Sequence, residues 1–600
     1  MTSNTPNQHL ILAGGAALLA ALSSAGYLFF YSSSSAAFLP PSVRSSLRLS
    51  TQLEARALRS LSYLLEAFGP SGKNAPGCPA GTMIASPSRP GSRPGGADEN
   101  ENYFFQWPRD GGLCLREVVR RLVSAAEVGD VVGVQEEQAS KLETIVRDFV
   151  KMNVKLQHTS NRAGNFETGG LGEAKFEVDG SPFDADWGRP QNDGPSIRAI
   201  ALTAYALHLL EKRPRSNDHG YVVSTLYNKD VPRTIIKADL DYVARAWSEK
   251  TFELWEEVCA DPSAGGGHFH TLMVQRRALL AGAKLASHPS INDDESAAKY
   301  REQAKKITAH LYKFWNADGK IGLEGGPAIE QGPMAIHWDD ARNLSKIPKK
   351  TVLHAPHIVG TLARVAGQQK PTQADTAVLL GFLHGFSGDV SDIPPSSSAS
   401  ASASASASAS ASEARGGEDL EAGSKWTPWD SKCLATLYRL VNVFKHVYPI
   451  NASHDVSTGV LLGRYPEDVY DGVVQSIAHP WFLCTHAVAE VLYVVHAHYA
   501  VSTWLSIDVY SLPLFQLFVP SITTGTYARG SKEYELLLRG LRRMADGYLD
   551  VAGRYAAKDD KMSEQINRYS SRMRGARELS WSYASFLSAW AARRRDFVKV

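Results

Sequence analysis

Two glutamates, Glu256 and Glu257, stand side by side in "FELWEEVCAD", after Trp255 and ahead of a Gly-rich "PSAGGGHFH". Neighbouring residues point in different directions on a helix and on a strand alike. The pair therefore either faces water, the usual fate of such residues, or divides two chemical jobs. Four more clusters bear on the choice: "YFFQWPRD" at 103–110, "DWGRPQNDGPSIR" at 186–198, "GRYPEDVY" at 463–470 with "HPWFL" at 479–483, and "KMSEQINR" at 561–568 with "ELSWSYA" from Glu578. Taken singly, a Trp beside a helix start is usually core, and an Arg-Asp neighbour pair is a local ion pair of small value. All five places, however, combine Trp or Tyr with carboxylates, and the four beyond the glutamate pair add Arg to the mixture. Flat aromatic faces pack on the apolar faces of sugar rings, and carboxylates and guanidinium groups hydrogen-bond fixed hydroxyls. Glycosidic cleavage further needs two carboxyl groups, one a proton donor and the other a base or nucleophile.

The elements that must position these clusters are helical. Leu49, Leu53, Leu58, Leu61, Leu65 and Phe68 form one apolar stripe, and similar stripes predict helices near 112–127, 138–155, 195–212, 238–258, 272–286, 295–315, 352–367, 375–387, 431–447, 481–500, 531–552 and 578–594. Convincing strands are few. Helices joined by long Gly- and Trp-containing loops suggest paired helices in a ring or bundle, with the loops carrying the site.

At this point the chain resembles the glucoamylase family, glycoside hydrolase family 15. The resemblance rests on "WPRD" for the family's W-T-R-D, on "WGRPQNDGPSIRA", on "LWEEV", on "GRYPEDVYDG" with "HPWFL", and on "SEQ" followed by "ELSWSYA". These motifs come in the family's order and span roughly residues 45–595. The resemblance implies an all-α fold, an (α/α)6 barrel with the cleft in loops at one end. It implies exo-hydrolysis from the non-reducing ends of α-1,4-glucans, with inversion to β-D-glucose. Residue by residue, Glu256 resembles the general acid and Glu564 the general base. Glu257 resembles a binder of the neighbouring glucose, and Arg109 and Asp110 the pair that holds the terminal glucose. Tyr103, Trp107, Trp187, Arg464, Trp481 and Trp581 resemble residues that shape the substrate cleft. Adjacent Glu256 and Glu257 cannot readily flank one sugar, which fits a second catalytic carboxyl supplied from elsewhere by Glu564. Trp255 and Trp187 are expected to surround Glu256 with apolar packing that keeps it protonated.

Cys259, where the family commonly has Asn, and His479, in place of the Asn of "NPW", depart from the pattern, as do Gln106 and Pro108. They put the cleft wall and outer-subsite affinity in question. Two other readings compete: a trehalase-like glycosidase on a related helical barrel, and a non-catalytic regulatory protein with a glucoamylase-like domain. Retention of both Glu256 and Glu564 argues against the second.

Composition narrows the rest. Hydrophobic residues at 44% and charged residues at 21% describe an ordinary globular protein, and a net charge of +2 without a Lys/Arg stripe gives no case for nucleic acid. The five cysteines form no CxxC or CxxxxH pattern, which gives a metal site little support, and no cofactor is expected. Leu10 to Phe30 carries no charge, and its Ala, Gly and Ser content leaves a cleaved signal and a membrane anchor both open within residues 1–35. Asn343 and Asn451 begin glycosylation triplets if the chain enters the secretory pathway, with an extracellular, vacuolar or membrane-anchored destination. The Ser/Ala run at 394–424 reads as a disordered insertion inside a catalytic domain at 45–595. No starch-binding domain is expected, and the α-glucan-degrading chain is expected to act as a monomer.

Overall fold

The computed structural model of the chain describes residues 41–92, 101–127, 134–211, 217–320, 347–386 and 426–594. The leader, the Ser/Ala run and Asn343 lie outside them. Among the described residues, no helix is long and apolar enough to cross a membrane. Two compact units divide the chain, one ending at Leu58 and one running from Arg59. In the first, the described residues are the opening part of α1 (Pro41–Leu65). The second carries the remaining elements.

In chain order the longer helices are α2 (Pro108–Glu127), α3 (Val134–His158), α4 (Asp193–Glu211), α5 (Ile235–Ala246), α6 (Phe269–Ala286), α7 (Asp294–Leu311), α8 (Ala377–His384), α9 (Ser431–Val447), α10 (Phe482–Val501), α11 (Lys532–Tyr555) and α12 (Ser580–Arg594). The even-numbered helices close a ring: α2 packs on α4, α4 on α6, α6 on α8, α8 on α10, α10 on α12, and α12 returns to α2. Outside them α3 packs on α2, α5 on α4, α7 on α6, α9 on α8 and α11 on α10. This alternation of inner and outer helices is that of an (α/α)6 barrel.

Two neighbouring helices show the contrast between the rings in their sequences. Inner α10 is apolar around most of its circumference and buries Phe482, Leu483, Val488, Leu492 and Val495 alike. Outer α11 instead keeps one apolar stripe, Tyr534, Leu537, Leu541, Met544 and Tyr548, with its charges on the other face. Gly112 lets α2 approach α4, because a Cβ there would stand 2.8 Å from Ile197 Cγ2 and 2.9 Å from the Arg198 nitrogen. A buried ion pair ties the rings together: Arg198 of α4 donates at 2.8 and 2.6 Å to Asp239 of α5, which also accepts from Gln157 of α3 at 2.8 Å.

Two predicted helices differ from the structure. The stripe at 238–258 is helical only to Ala246; beyond it Thr251–Phe252 (β1) pairs antiparallel with Val258–Ala260 (β2). The stretch 352–367 contains short strands ending in Arg364–Gly367 (β3), which pairs with β2. Pro356 and Gly360 interrupt any helix there, and Val352, Val359, Thr361 and Val365 favour extended backbone. Asn451 is also corrected as a glycosylation acceptor. Its side chain is fully buried, donating to the Phe444 and Leu461 carbonyls at 2.9 Å each and accepting from the Leu461 N–H. All five cysteines are free thiols.

Candidate active site

The inner helices turn their N-termini toward one end of the ring, and the loops entering them carry the polar-aromatic clusters. Pro108 starts α2 with its fixed φ, placing Arg109 and Asp110 in the first turn. Trp481 precedes α10, and Trp581 lies in the first turn of α12. Around these ends opens a cavity of about 640 Å³, lined by Tyr103, Trp107, Arg109, Asp110, Trp187, Glu256, Glu257, Arg464, Trp481, Glu564 and Trp581. The structure thus gathers every residue predicted for catalysis or substrate binding, from clusters up to hundreds of positions apart, into one cleft.

Glu256 sits in the tight loop of the β1–β2 hairpin. Its N–H donates to the Glu253 carbonyl at 2.9 Å, and its φ of 71° lies in the left-handed region that non-glycine residues rarely occupy. Beneath the loop the Lys370 ammonium bonds Glu253 and Asp375 at 2.7 Å each, while the Trp255 indole N–H donates to Asp375 at 2.9 Å. This buried clamp fixes the backbone from which both glutamates project.

The surroundings of Glu256 differ from the apolar packing expected. Trp107 Nε1 donates to its Oε1 at 2.6 Å, Arg109 Nη2 to the same oxygen at 2.9 Å, and Trp187 Nε1 to Oε2 at 2.8 Å. Trp107 and Trp187 therefore meet the carboxyl through their N–H edges, and Trp255 points its own N–H away to Asp375. Arg109 also reaches Gln191 at 2.8 Å and lies 3.5 Å from both Asp110 and Asp193. Burial pushes the Asp110 carboxyl up to about 7, against the pull of Arg109.

Glu257 turns the other way. Arg464 Nη2 donates to it at 2.6 Å, and the Tyr465 hydroxyl donates to its second oxygen. Arg464 is itself oriented by Asp468 at 2.7 and 2.8 Å. Glu564 lies in the loop entering α12, next to a small hairpin in which Gln565–Ile566 (β4) pairs with Met573–Arg574 (β5). The Ile566 N–H bonds the Pro480 carbonyl at 2.8 Å, joining this hairpin to the "HPW" segment. Tyr103 donates to Glu564 Oε1 at 2.8 Å. Burial nevertheless pushes the Glu564 carboxyl up to about 8, with the Tyr103 hydroxyl and the Arg464 guanidinium pulling it back.

The family departures stand outside the cleft surface. Cys259 occupies β2 opposite Phe252, His479 is buried against the Arg568 N–H, and neither lines the cavity. Gln106 spends its amide on the Glu177 and Val178 carbonyls. Sequence reasoning missed Lys175, Phe183 and Tyr470 as cavity-lining residues. Tyr470 ends a quoted cluster and could have been found there. Lys175 and Phe183 sit in stretches with no motif, and nothing in their spacing points to a site.

The family model for glycosyl hydrolases family 15 matches residues 59–591. The chain belongs to this family. It is 31% identical over 538 residues to Glucoamylase-1 of Schizophyllum commune, covering 88% of this chain and 72% of that protein. With the probable glucoamylase of Schizosaccharomyces pombe it shares 27% identity over 90% of each chain. Among solved structures, the family 15 glucoamylase of Hypocrea jecorina superposes with a TM-score of 0.68 at 27% identity, over 91% of this chain and 72% of that one. The glucoamylase of Saccharomycopsis fibuligera gives 0.66 at 27% identity, over 92% and 96%. As a family 15 member the protein is a glycosidase, and its helical ring is the barrel of these relatives.

Proposed function

We propose that the protein is an exo-acting glucoamylase that releases β-D-glucose from the non-reducing ends of α-1,4-glucans such as starch, glycogen and maltooligosaccharides. The observation that carries this reading is one aromatic-lined cavity holding two separately supported carboxyls, Glu256 under three donors and Glu564 under Tyr103. The relatives' names, all glucoamylases, favour it over a trehalase-like or purely regulatory protein.

In this reading Glu256 gives its proton to the glycosidic oxygen as the bond from C1 to that oxygen breaks. Glu564 takes a proton from the water that adds to C1 on the opposite face, so the anomeric centre inverts. Inverting enzymes hold their carboxyls about 6.5–9.5 Å apart to admit that water. Proton exchange with solvent then resets both groups. Arg109 and Asp110 hold hydroxyls of the terminal glucose, and Glu257, braced by Arg464, holds the sugar on the leaving side. Trp481 Nε1, buried and without a partner among the described residues, is a donor for a substrate hydroxyl. Trp581 supplies a flat face.

Maltotriose hydrolysis followed by anomer-resolved NMR tests the proposal. β-Glucose should appear first. α-Glucose as the first product would refute inversion, and glucose from trehalose but not from maltotriose would refute the substrate class. The uncharged segment Leu10–Phe30 supports entry into the secretory pathway. Mass analysis of the mature chain from culture medium and from membranes distinguishes cleavage from anchoring.

A further inference from the structure

Lys175 lies at the wall of the cleft with 2% of its surface exposed. Its ammonium sits 3.4 Å from the centre of the Trp187 ring, 4.1 Å from Phe183, 4.6 Å from Phe105 and 4.8 Å from Trp107. Among the described residues no carboxylate stands within ion-pair distance of it; neighbouring Glu173 is taken by Arg189 at 2.8 Å. A buried ammonium lacking a carboxylate partner is costly, and a core position of this kind is ordinarily apolar. Four ring faces offset part of that cost through their quadrupoles. Burial draws the ammonium down to about 8, so it keeps its charge through the acid and neutral range.

Two of the four rings are the ones that hold Glu256. The Trp107 and Trp187 indoles each place a face toward Lys175 and an N–H on a different oxygen of the same carboxyl, at 2.6 and 2.8 Å. A cation on an indole face draws electron density from the ring and strengthens its N–H as a donor.

We propose that Lys175 is a positioning residue for proton donation: acting through Trp107 and Trp187, its caged ammonium sets the grip of both indole donors on Glu256. The role rests on the reading of Glu256 as the proton donor. It differs from packing alone, because an apolar side chain of similar length would fill the cage equally well. The effect is confined to steps that need the proton of Glu256.

The leaving group provides the test. Hydrolysis of maltotriose requires protonation of the glycosidic oxygen. In α-D-glucosyl fluoride the bond from C1 to fluorine breaks with fluoride leaving as an anion, while Glu564 still deprotonates the entering water. General-acid catalysis contributes about 10²–10⁴-fold. Lys175→Met should therefore lower kcat on maltotriose by about tenfold or more, change KM by less than about threefold, and leave fluoride hydrolysis within about threefold of wild type. Lys175→Arg, which keeps a cation among the rings, should recover most of the maltotriose rate. Equal losses on both substrates, or no loss on maltotriose, would overturn the proposal. Glu256→Gln measured in parallel should show the same selectivity for fluoride. If it does not, the assignment of Glu256 fails, and this inference fails with it; if it does while Lys175→Met shows none, this inference fails alone.

Discussion

Tyr103 donates its hydroxyl to Glu564 at 2.8 Å across 461 positions of sequence, and its oxygen lies at the same distance from the Tyr470 hydroxyl. The contact sets a loop before the first inner helix against a loop before the last. It matters because burial favours the neutral form of Glu564, whereas a general base must be ionised. Tyr103 is the strongest of the groups that favour the carboxylate, ahead of Arg464.

Removing that donor should move the pH profile. Tyr103→Phe leaves burial intact and takes away a bond to the charged form, so Glu564 holds its proton to higher pH. The acid limb of kcat/KM, where activity rises as the base ionises, should shift upward. A profile that overlays the wild type would refute the role of this bond.

Glu564→Gln should lose turnover by orders of magnitude and yet become the more stable of the two proteins as pH rises. The folded carboxyl ionises near 8 and its unfolded value is 4.5, so between these limits the native state holds a proton that the unfolded state has released. Native stability from this group is full below about 4.5 and is lost as pH climbs through about 8. Glutamine never ionises and escapes that loss. Melting temperatures of the two proteins should converge at pH 4.5 and separate toward pH 8, with the variant higher. A constant offset would contradict the burial of Glu564.

Glu257→Gln should act on binding. Arg464 retains Asp468 at 2.7 and 2.8 Å when Glu257 is neutralised, so the loop stays in place. An interaction made equally in ground and transition states raises KM and spares kcat. The expected result is a rise in KM for maltotriose of about tenfold with kcat within about threefold. A kcat loss matching that of Glu256→Gln would show that Glu257 takes part in the chemistry.

Gly575→Ala tests the wall behind the base. Gly575 has φ of +70°, and a Cβ there would stand 2.5 Å from Glu564 Oε2. The methyl group must displace the carboxyl or the β4–β5 hairpin, and the left-handed backbone adds a strain of about 1 kcal/mol. We expect kcat on maltotriose to fall by at least about tenfold, with a melting temperature lowered by only a few degrees. Unchanged kcat would mean that the hairpin yields and Glu564 does not.

Much of this was legible in the chain before any fold. Helices α2, α3, α4, α6, α7, α9, α10, α11 and α12 stand close to where apolar periodicity predicts them, because each must bury a stripe or a whole surface and that demand is written locally. The resemblance brought Glu256, Glu257 and Glu564 together, along with the aromatics that share their cavity. Short strands left no comparable signal. β1, β2 and β3 hold two to four residues each, too few for a period, and the pairing of β2 with β3 depends on a partner about a hundred positions away.

The sequence by itself determined the kinds of side chain at the cleft and the helices that deliver them, since helix periodicity and capping are properties of neighbouring residues. Only the tertiary structure decided how those side chains meet. It turned the Trp107 and Trp187 N–H groups onto Glu256, put Lys175 behind both rings, set Glu256 at a positive φ over the Lys370 clamp, and kept Cys259 and His479 off the cavity surface. Hydrogen-bond direction and burial depend on which loops converge in space, and residue spacing along the chain does not specify that convergence.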